Sequence, residues 1–591
     1  MLDTPAFLDV ARSATGRRWV GPGAEAERIG LAIAQATGRP EILGRVLAAR
    51  GVAPEAAEAY LAPTLRDLLP DPSALAGMDA AAGRLARAVL KSERIAVFGD
   101  YDVDGAASAA LLLDWLRRLG RDATVHIPDR IEEGYGPNVP AMERLGRAHD
   151  LVVCVDCGTL AHAPVAAARA AGADVLVLDH HLAAETLPDA TAVVNPNRAD
   201  DASDLGHLAA AGVVFLALVA ANRALRAAGR ARGDLPDLLD LLDLVALATV
   251  ADVVPLTGLN RAFVRQGLVV LARRRRPGRA ALADAAGLSA PPTCRDLGFV
   301  LGPRINAGGR VGRAADGVRL LAATDADEAA ALADELCRRN AERRAIEAVV
   351  LEAAVAQVEA RDPSAPLVWA AAPGWHAGVV GIVAARLKER YNRPAVVIGL
   401  DGGEGRGSGR SIPGIDLGSA VAALTAQGLL VHGGGHRMAA GLTVAADAVE
   451  PAMEALGARL ARQGAGAAGP RDLRLDGALA PGGATPELIA LLDAAGPFGQ
   501  ASPAPRLAFA RVVPQGVRAV GEGHCRLRIA GGAGPALDCI AFRAAESGLG
   551  PLLEAHARSR TPLHLAGRLE IDDWGGRRRA KLTVEDAARP A

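Results

Sequence analysis

Lysine is almost absent from this chain. Of 66 basic residues in 591, only Lys91, Lys388 and Lys581 are lysines. Arginine carries the rest in an alanine- and glycine-rich background, so an isolated Arg is weak evidence of phosphate recognition. Aromatic residues make up 3%, which leaves little surface for stacking bases. Six cysteines in a chain of this length exclude a disulfide framework. Cys154-x-x-Cys157 has no second pair to complete a zinc site and reads as the end of a buried strand. The N-terminus lacks a charged-then-apolar leader pattern. The longest apolar run, 208–221, is too short to span a bilayer. The expectation is a reduced, cytoplasmic protein without a membrane partner. A net charge of −1 excludes a chain-wide nucleic-acid footprint, so any basic surface must be local.

The length predicts three to five domains. Residues 1–75 read as a helical arm with no chemistry of its own. Apolar runs at 95–98, 124–127, 151–155 and 175–178 alternate with helical patterns, which predicts an α/β fold around a parallel sheet, here bounded at 76–324. A basic run, Arg273 to Arg276, reads as a solvated helix end. A glycine-free, charged pattern over 325–362 predicts a long connecting helix. A second α/β unit spans 363–465, with glycine-rich turns expected at 402–409 and 433–435. Gly464-Ala-Gly-Ala-Ala-Gly-Pro470 reads as a flexible linker. Short alternating runs over 470–591 predict a small β-barrel. From Pro503 to Ala591 fourteen basic residues face nine acidic ones, so positive charge concentrates there. Phe509, Phe542 and Trp574 are nearly the whole of its stacking supply.

Asp100, Asp102 and Asp104 stand at alternate positions after the first apolar run. Alternate side chains of extended backbone point the same way. Three converging carboxylates raise one another's pKa unless a cation sits among them. Further polar residues end the other runs: Asp129 with Glu133 to Asn138, Asp156, and Asp179-His-His181. In open α/β sheets such strand ends hold the ligand. Asp252 closes a later apolar helix. Carboxylates with one or two imidazoles suit Mn²⁺ or Mg²⁺ better than zinc, and two ions would activate a water and neutralise a phosphoryl oxygen.

Gly99-Asp-Tyr-Asp-Val-Asp-Gly105, Val155-Asp-Cys-Gly158, Asp179-His-His181 and Asp252 resemble the ordered motifs of the DHH phosphoesterase superfamily. Within it, Gly302-Pro-Arg-Ile-Asn-Ala-Gly-Gly-Arg310, Gly374-Trp-His-Ala-Gly-Val-Val-Gly381, Gly407-Ser-Gly-Arg-Ser411 and Gly433-Gly-Gly-His436 resemble the RecJ branch. The resemblance implies a DHH domain joined by a long helix to a DHH-associated domain and followed by an OB-like barrel. It implies a 5′-to-3′ exonuclease of single-stranded DNA, serving recombination and repair. Asp102, Asp104, Asp156, His180 and Asp252 would hold Mn²⁺ or Mg²⁺, as two ions, with Asp100 and His181 supporting ligands or facing phosphate. Arg304, Asn306 and Arg310 would touch DNA phosphates. Ser408, Arg410, Ser411, Gly434, Gly435 and His436 would form the 5′-end site. The implied partners are single-stranded DNA, then a single-strand-binding protein or a helicase, for a monomer. Phe98 stands where many relatives carry a metal-side His. Two other readings compete: a phosphodiesterase of short oligonucleotides or cyclic dinucleotides, and a non-catalytic single-strand-binding scaffold.

Overall fold

The structure, a computed structural model, describes residues 5–129, 133–467, 472–521, 523–531, 534–573 and 578–591. The chain forms two compact units, one of Asp71–Asp252 with Gln266–Ala468, the other of Met1–Pro70, Val253–Arg265 and Gly469–Ala591.

In the first unit, β1 (Ile95–Gly99), β2 (Ala123–His126), β3 (Leu151–Val155), β4 (Asp174–Leu178) and β5 (Ala192–Val194) make a wholly parallel sheet in the order β2-β1-β3-β4-β5. β1 and β3 are buried at every residue. That is why they read as continuous apolar runs, covered on both faces, without polar alternation. Three helices matter to the site: α1 (Val103–Arg118), α2 (Ala210–Ala227) and α3 (Leu242–Ala251). Among the described residues α2 is the one helix long and apolar enough to cross a membrane, but 67% of it is buried inside the protein, where its apolar side chains serve the core.

Next come α4 (Gly302–Val311) and the 35-residue α5 (Ala326–Ala360), capped by Asp325, whose carboxylate accepts from Glu328 N. At 1.5 Å per residue α5 is roughly 52 Å long. Its far half, through Val350, Ala354 and Val358, joins the core of a second sheet with Val368, Val379 and Val397. That sheet holds β6 (Val368–Pro373), β7 (Ala395–Asp401), β8 (Glu404–Arg410), β9 (His432–His436) and β10 (Ala439–Ala445), in the order β9-β10-β8-β7-β6. α6 (Ala377–Tyr391) packs against it.

Both glycine-rich stretches expected as turns prove to be largely strand. Gly402 and Gly403 do turn, but β8 begins at Glu404, and Gly433 to Gly435 lie inside β9. The reason is alternation. A Cβ on Gly405, Gly407 or Gly409 would come within 2.7–2.8 Å of Ile398, Leu442 or Leu417. Glycine is what lets that face of β8 lie flat under apolar side chains, while Arg406, Ser408 and Arg410 point to the other face. The expected linker is also partly ordered, since Ala465 is buried in the second sheet's core. Residues 468–470 of it lie outside the described residues, as does Trp574.

In the second unit, β11 (Leu507–Val520), β12 (His524–Ala530), β13 (Leu537–Ala541), β15 (Arg579–Ala588) and β14 (Leu563–Asp572) pair in that cyclic order, and β14 returns to β11 to close a five-stranded barrel. The arm belongs to it. Arg18–Val20 pairs in parallel with Asp472–Arg474. Ile42, Leu43, Val46 and Leu47 share one core with Leu507, Phe509, Leu527 and Leu565.

Candidate metal centre

The loop after β1 turns straight into α1. Asp102 caps that helix, its Oδ1 accepting from Asp104 N (2.9 Å) and Gly105 N (3.1 Å). A Cβ at Gly105 would lie 2.4 Å from Asp100 O, so only glycine lets the loop close this tightly. Asp104 is buried, and its carboxylate accepts from Ala210 N at 2.7 Å and Ala211 N at 2.8 Å. It thereby satisfies the orphan amides at the start of α2. Asp156 follows β3 with φ 60°, a left-handed conformation that costs a non-glycine residue of order 1–3 kcal/mol and concentrates at functional sites.

His180 follows β4. Its Nδ1 lies 3.0 Å from Leu208 O, and a carbonyl only accepts, so Nδ1 carries the proton. In the neutral ring this leaves Nε2 a lone pair for a ligand, and Nε2 faces Asp156 (3.4 Å), Asp252 (3.6 Å) and Asp104 (3.8 Å). Donor atoms of three sets lie within 4.8 Å of one another: Asp104 with His180 and Asp252, Asp156 with His180 and His181, and Asp100 with Asp102 and Asp156. The structure therefore gathers all seven sequence-predicted ligand and phosphate-facing residues, with Asp156 and His180 shared between sets. Asp100 and His181, expected to support ligands or face phosphate, each fall within a donor set as well.

These residues fit a divalent cation. Asp156 Oδ1 is buried and accepts no hydrogen bond, an atom left open toward the cluster. The donors are carboxylates and one imidazole lone pair, without thiolate, the set that hard ions such as Mn²⁺ and Mg²⁺ take. Burial, then the charges of Asp104 and Asp102, push the Asp156 carboxyl well above its ordinary value. Burial followed by Asp104 pushes Asp252 up to about 8. Burial also raises Asp104, despite the pull of His180. A cation reverses each of these costs.

His181 plays a different part. Its Nδ1 donates to Asp179 Oδ1 at 2.8 Å, and its Nε2 lies 3.1 Å from the Tyr135 hydroxyl. Burial works to lower this imidazole, but the hydrogen bond and charge of Asp179 prevail and bring it up to about 9. In the metal-free site this favours the imidazolium. Burial would raise Asp179, yet its bonds to His181 and Thr159 hold it well below the usual carboxylate range.

The phosphate-facing residues divide. On the second sheet Arg410, Ala439 and His436 are in register, as are Ser408, Gly441 and Gly434. Residues in register share a face. Ser408, Arg410, Gly434 and His436 thus lie together, with Arg410 Nη1 donating to Ser408 Oγ at 2.9 Å. β9 is the edge strand, and its outer side has no strand partner among the described residues. Gly435 is off that face, at φ 149°, where a Cβ would meet Ala439 O at 2.4 Å. Ser411 is buried and donates to Ile415 O, so it braces the sheet and does not line the surface. Asn306 Oδ1 accepts from Val103 N (3.1 Å), which ties α4 to the metal loop. Arg304 folds back onto Val300 O and Cys337 Sγ. Arg310, with Asp129, Glu342 and His376, lines a cavity of about 280 Å³.

Sequence reasoning missed the brace behind the histidines. Asn195 and Asn197 follow β5, a fifth strand end. Asn195 Nδ2 donates to His181 O and Thr159 Oγ1, both at 2.8 Å, and Asn197 Nδ2 donates to His180 O at 2.6 Å. The signal was present, as polar residues closing the short apolar run 192–194. Such supports are worth about 10–100-fold in metal affinity. Asn195→Ala is expected to raise the Mn²⁺ concentration for half-maximal activity by that factor, and an unchanged half-saturation would exclude the brace.

A parallel sheet whose strand ends converge Asp and His on one cation site defines a metal-dependent phosphoesterase of the DHH class. Family models agree: the DHH family N-terminal domain matches residues 94–249, the DHHA1 domain 353–462 and the RecJ OB domain 475–586. The single-stranded-DNA-specific exonuclease RecJ of Dickeya dadantii is 39% identical over 570 residues, 92% of this chain and 96% of that protein. That of Escherichia coli is 37% identical over 563 residues, 93% of this chain and 96% of that one. The crystal structure of RecJ from Thermus thermophilus in complex with Mn²⁺ matches with a TM-score of 0.80 at 30% identity, covering 97% of this chain and 80% of that one. The corresponding Mg²⁺ complex matches at 0.74. The chain belongs to the RecJ family of single-stranded-DNA-specific exonucleases.

Proposed function

We propose that the chain degrades single-stranded DNA from its 5′ end by metal-dependent hydrolysis of the phosphodiester backbone. The observation that carries this reading is the shared donor cluster around Asp156 and His180. Asp102, Asp104, Asp156, His180 and Asp252 hold two Mn²⁺ or Mg²⁺ ions, with Asp100 as a further donor. Bound there, the ions supply an activated water and neutralise phosphoryl charge. Asp179 holds the His181 imidazolium toward the scissile phosphate, where it donates to an oxygen. Ser408, Arg410, Gly434 and His436 receive the 5′ terminus. Arg310 and His376 line the path of the strand, and His376 Nδ1 accepts from Gly378 N, which leaves Nε2–H as its donor.

The barrel gives the strand a second hold. Arg518 and Arg526 sit opposite each other across β11 and β12. Phe542 is 54% exposed and braced by His524, ring centroids 5.2 Å apart. Two cations and an open aromatic face suit a single strand. The same proposal includes a monomer, in a reducing cytoplasm where all six cysteines stay unpaired, and a single-strand-binding protein or helicase as partner.

A digest of 5′-labelled and 3′-labelled single strands with Mn²⁺ tests it. Label is expected to leave the 5′-labelled strand as the smallest product at once, and His436→Ala to slow that release about tenfold. Release from the 3′ end at an equal rate would overturn the polarity.

A further inference from the structure

The basic run Arg273 to Arg276 has no part in the site above; it follows the helix Gly258–Ala272, with Arg273, Arg274 and Arg275 exposed at that helix end as expected and Arg276 half-buried. Arg276 lines a cavity of about 260 Å³ with Asp114, Arg117, Arg118, Arg279 and the segment Leu321 to Thr324. A smaller cavity of about 30 Å³ shares Arg276 and Arg279 and adds Arg273, Arg274, Arg275, Asp240 and Asp243. Asp114 and the metal ligand Asp104 ride the same helix, α1. From Asp104 to Arg117 it rises roughly 20 Å. The cavity therefore lies at the opposite end of α1 from the metal centre.

The acids do not use up the cations there. Asp114 is shared between Arg118 (3.0 Å) and Arg276 (2.5 Å). Arg117 pairs with Asp122, and Arg274 with Asp284. Arg279 is 4% exposed. Its Nε lies 2.6 Å from Asp243 and its Nη1 donates to Leu321 O, but its Nη2 donates no hydrogen bond. A buried guanidinium N–H with no acceptor costs about 1–3 kcal/mol, and more when charged. It is stabilised once an acceptor arrives. The larger cavity is lined by four arginines, Arg117, Arg118, Arg276 and Arg279, against one aspartate, Asp114, with Asp122 and Asp243 pairing from its margin. Planar guanidinium forks converging on one void also match phosphate geometry.

We propose that this arginine-lined cavity is a second phosphate-binding site, separate from the metal centre, taking a phosphate group either free, on a mononucleotide, or in a DNA strand. The test uses full-length protein without divalent metal. Inorganic phosphate, thymidine 5′-monophosphate and an oligothymidylate are each titrated by calorimetry against wild type and Arg117→Gln/Arg276→Gln. Thr324→Glu, an exposed change that brings a carboxylate to the cavity rim, serves as the second variant in case the first misfolds. The expected result is at least tenfold weaker binding of one or more probes in both variants, with Mn²⁺-dependent hydrolysis of short oligonucleotides within about twofold of wild type. Loss confined to the oligothymidylate assigns the site to strand phosphates. Loss with phosphate or the mononucleotide assigns it to free ligands. Equal affinity of all three probes for wild type and Thr324→Glu, or no binding at all, overturns the site. Hydrolysis is read separately, so neither result bears on the proposed exonuclease.

Discussion

Asp156→Ala is expected to lower Mn²⁺-dependent hydrolysis of single-stranded DNA by about 10⁴-fold or more, equivalent to about 5.5 kcal/mol. Single-strand affinity should change less than about threefold. Asp156 belongs to two of the three donor sets, so its loss disables both at once. The proposed binding surfaces lie apart from it, on the second sheet and the barrel. Asp156→Asn should do the same to activity while raising the melting temperature of metal-free protein by about 2 °C or more. Asp156 is raised well above its ordinary value by burial and neighbouring carboxylates, and Asp252 to about 8. A carboxyl raised in the folded state binds more protons folded than unfolded, so stability falls as pH rises. For the metal-free protein that decline runs from about pH 4 toward pH 8. Asn removes one contributor, and with it the stabilisation that Mn²⁺ gives wild type. Melting curves at pH 5 and pH 8, with and without Mn²⁺, read all of this. A metal-free Asp156→Asn protein no more stable than wild type at pH 8 would sink the electrostatic account.

Ending the chain after Ala467 is expected to give insoluble or rapidly proteolysed protein, and removing residues 1–70 as well should restore solubility. The arm is not an independent segment. Ile33, Ile42, Leu43, Val46, Leu47, Val52 and Leu61 are buried in the barrel's core. Burying a large apolar side chain is worth about 1.5–3 kcal/mol, so the seven together contribute on the order of 10–20 kcal/mol. That matches or exceeds the whole stability of a typical domain, about 5–15 kcal/mol. The 71–467 form keeps the metal centre and the second sheet. It should still cleave short oligonucleotides, bind long single strands at least tenfold more weakly, and show a shallower dependence of affinity on salt. Each lost phosphate contact removes about 0.7 from that slope. A soluble, protease-resistant protein ending at Ala467 with its arm intact would refute the shared core.

The order of elements and the cation site were legible because both rest on local signals. The buried strands of the parallel sheet announce themselves as β-branched runs, and ligands sit one to five residues past their ends. Asp100 to Asp104, Asp156 and His180 could be placed that way. What was not legible depends on distant pairing. Nothing in residues 1–70 says that their apolar faces meet strands some 450 positions later. The stretch Glu404 to Arg410 looks like a turn because alternate glycines carry no β signal until the side chains above them are known. Asn306 and Ser411 were read from motifs as phosphate contacts; in the structure Ser411 Oγ donates to Ile415 O, while Asn306 uses only its Oδ1, accepting from Val103 N.

One short segment has an outsized hold on catalysis. Leu208 offers its carbonyl to His180, and Ala210 and Ala211 offer their amides to Asp104. Two donors from strands far apart in sequence are yoked to the same four residues. A slip of one residue at the start of α2 would turn the imidazole and the carboxylate together. Both groups are therefore expected to lose their orientation together. For anyone tuning this enzyme, insertions near residue 209 would behave as an all-or-none switch, whereas changes along the rest of the helix would act by degrees.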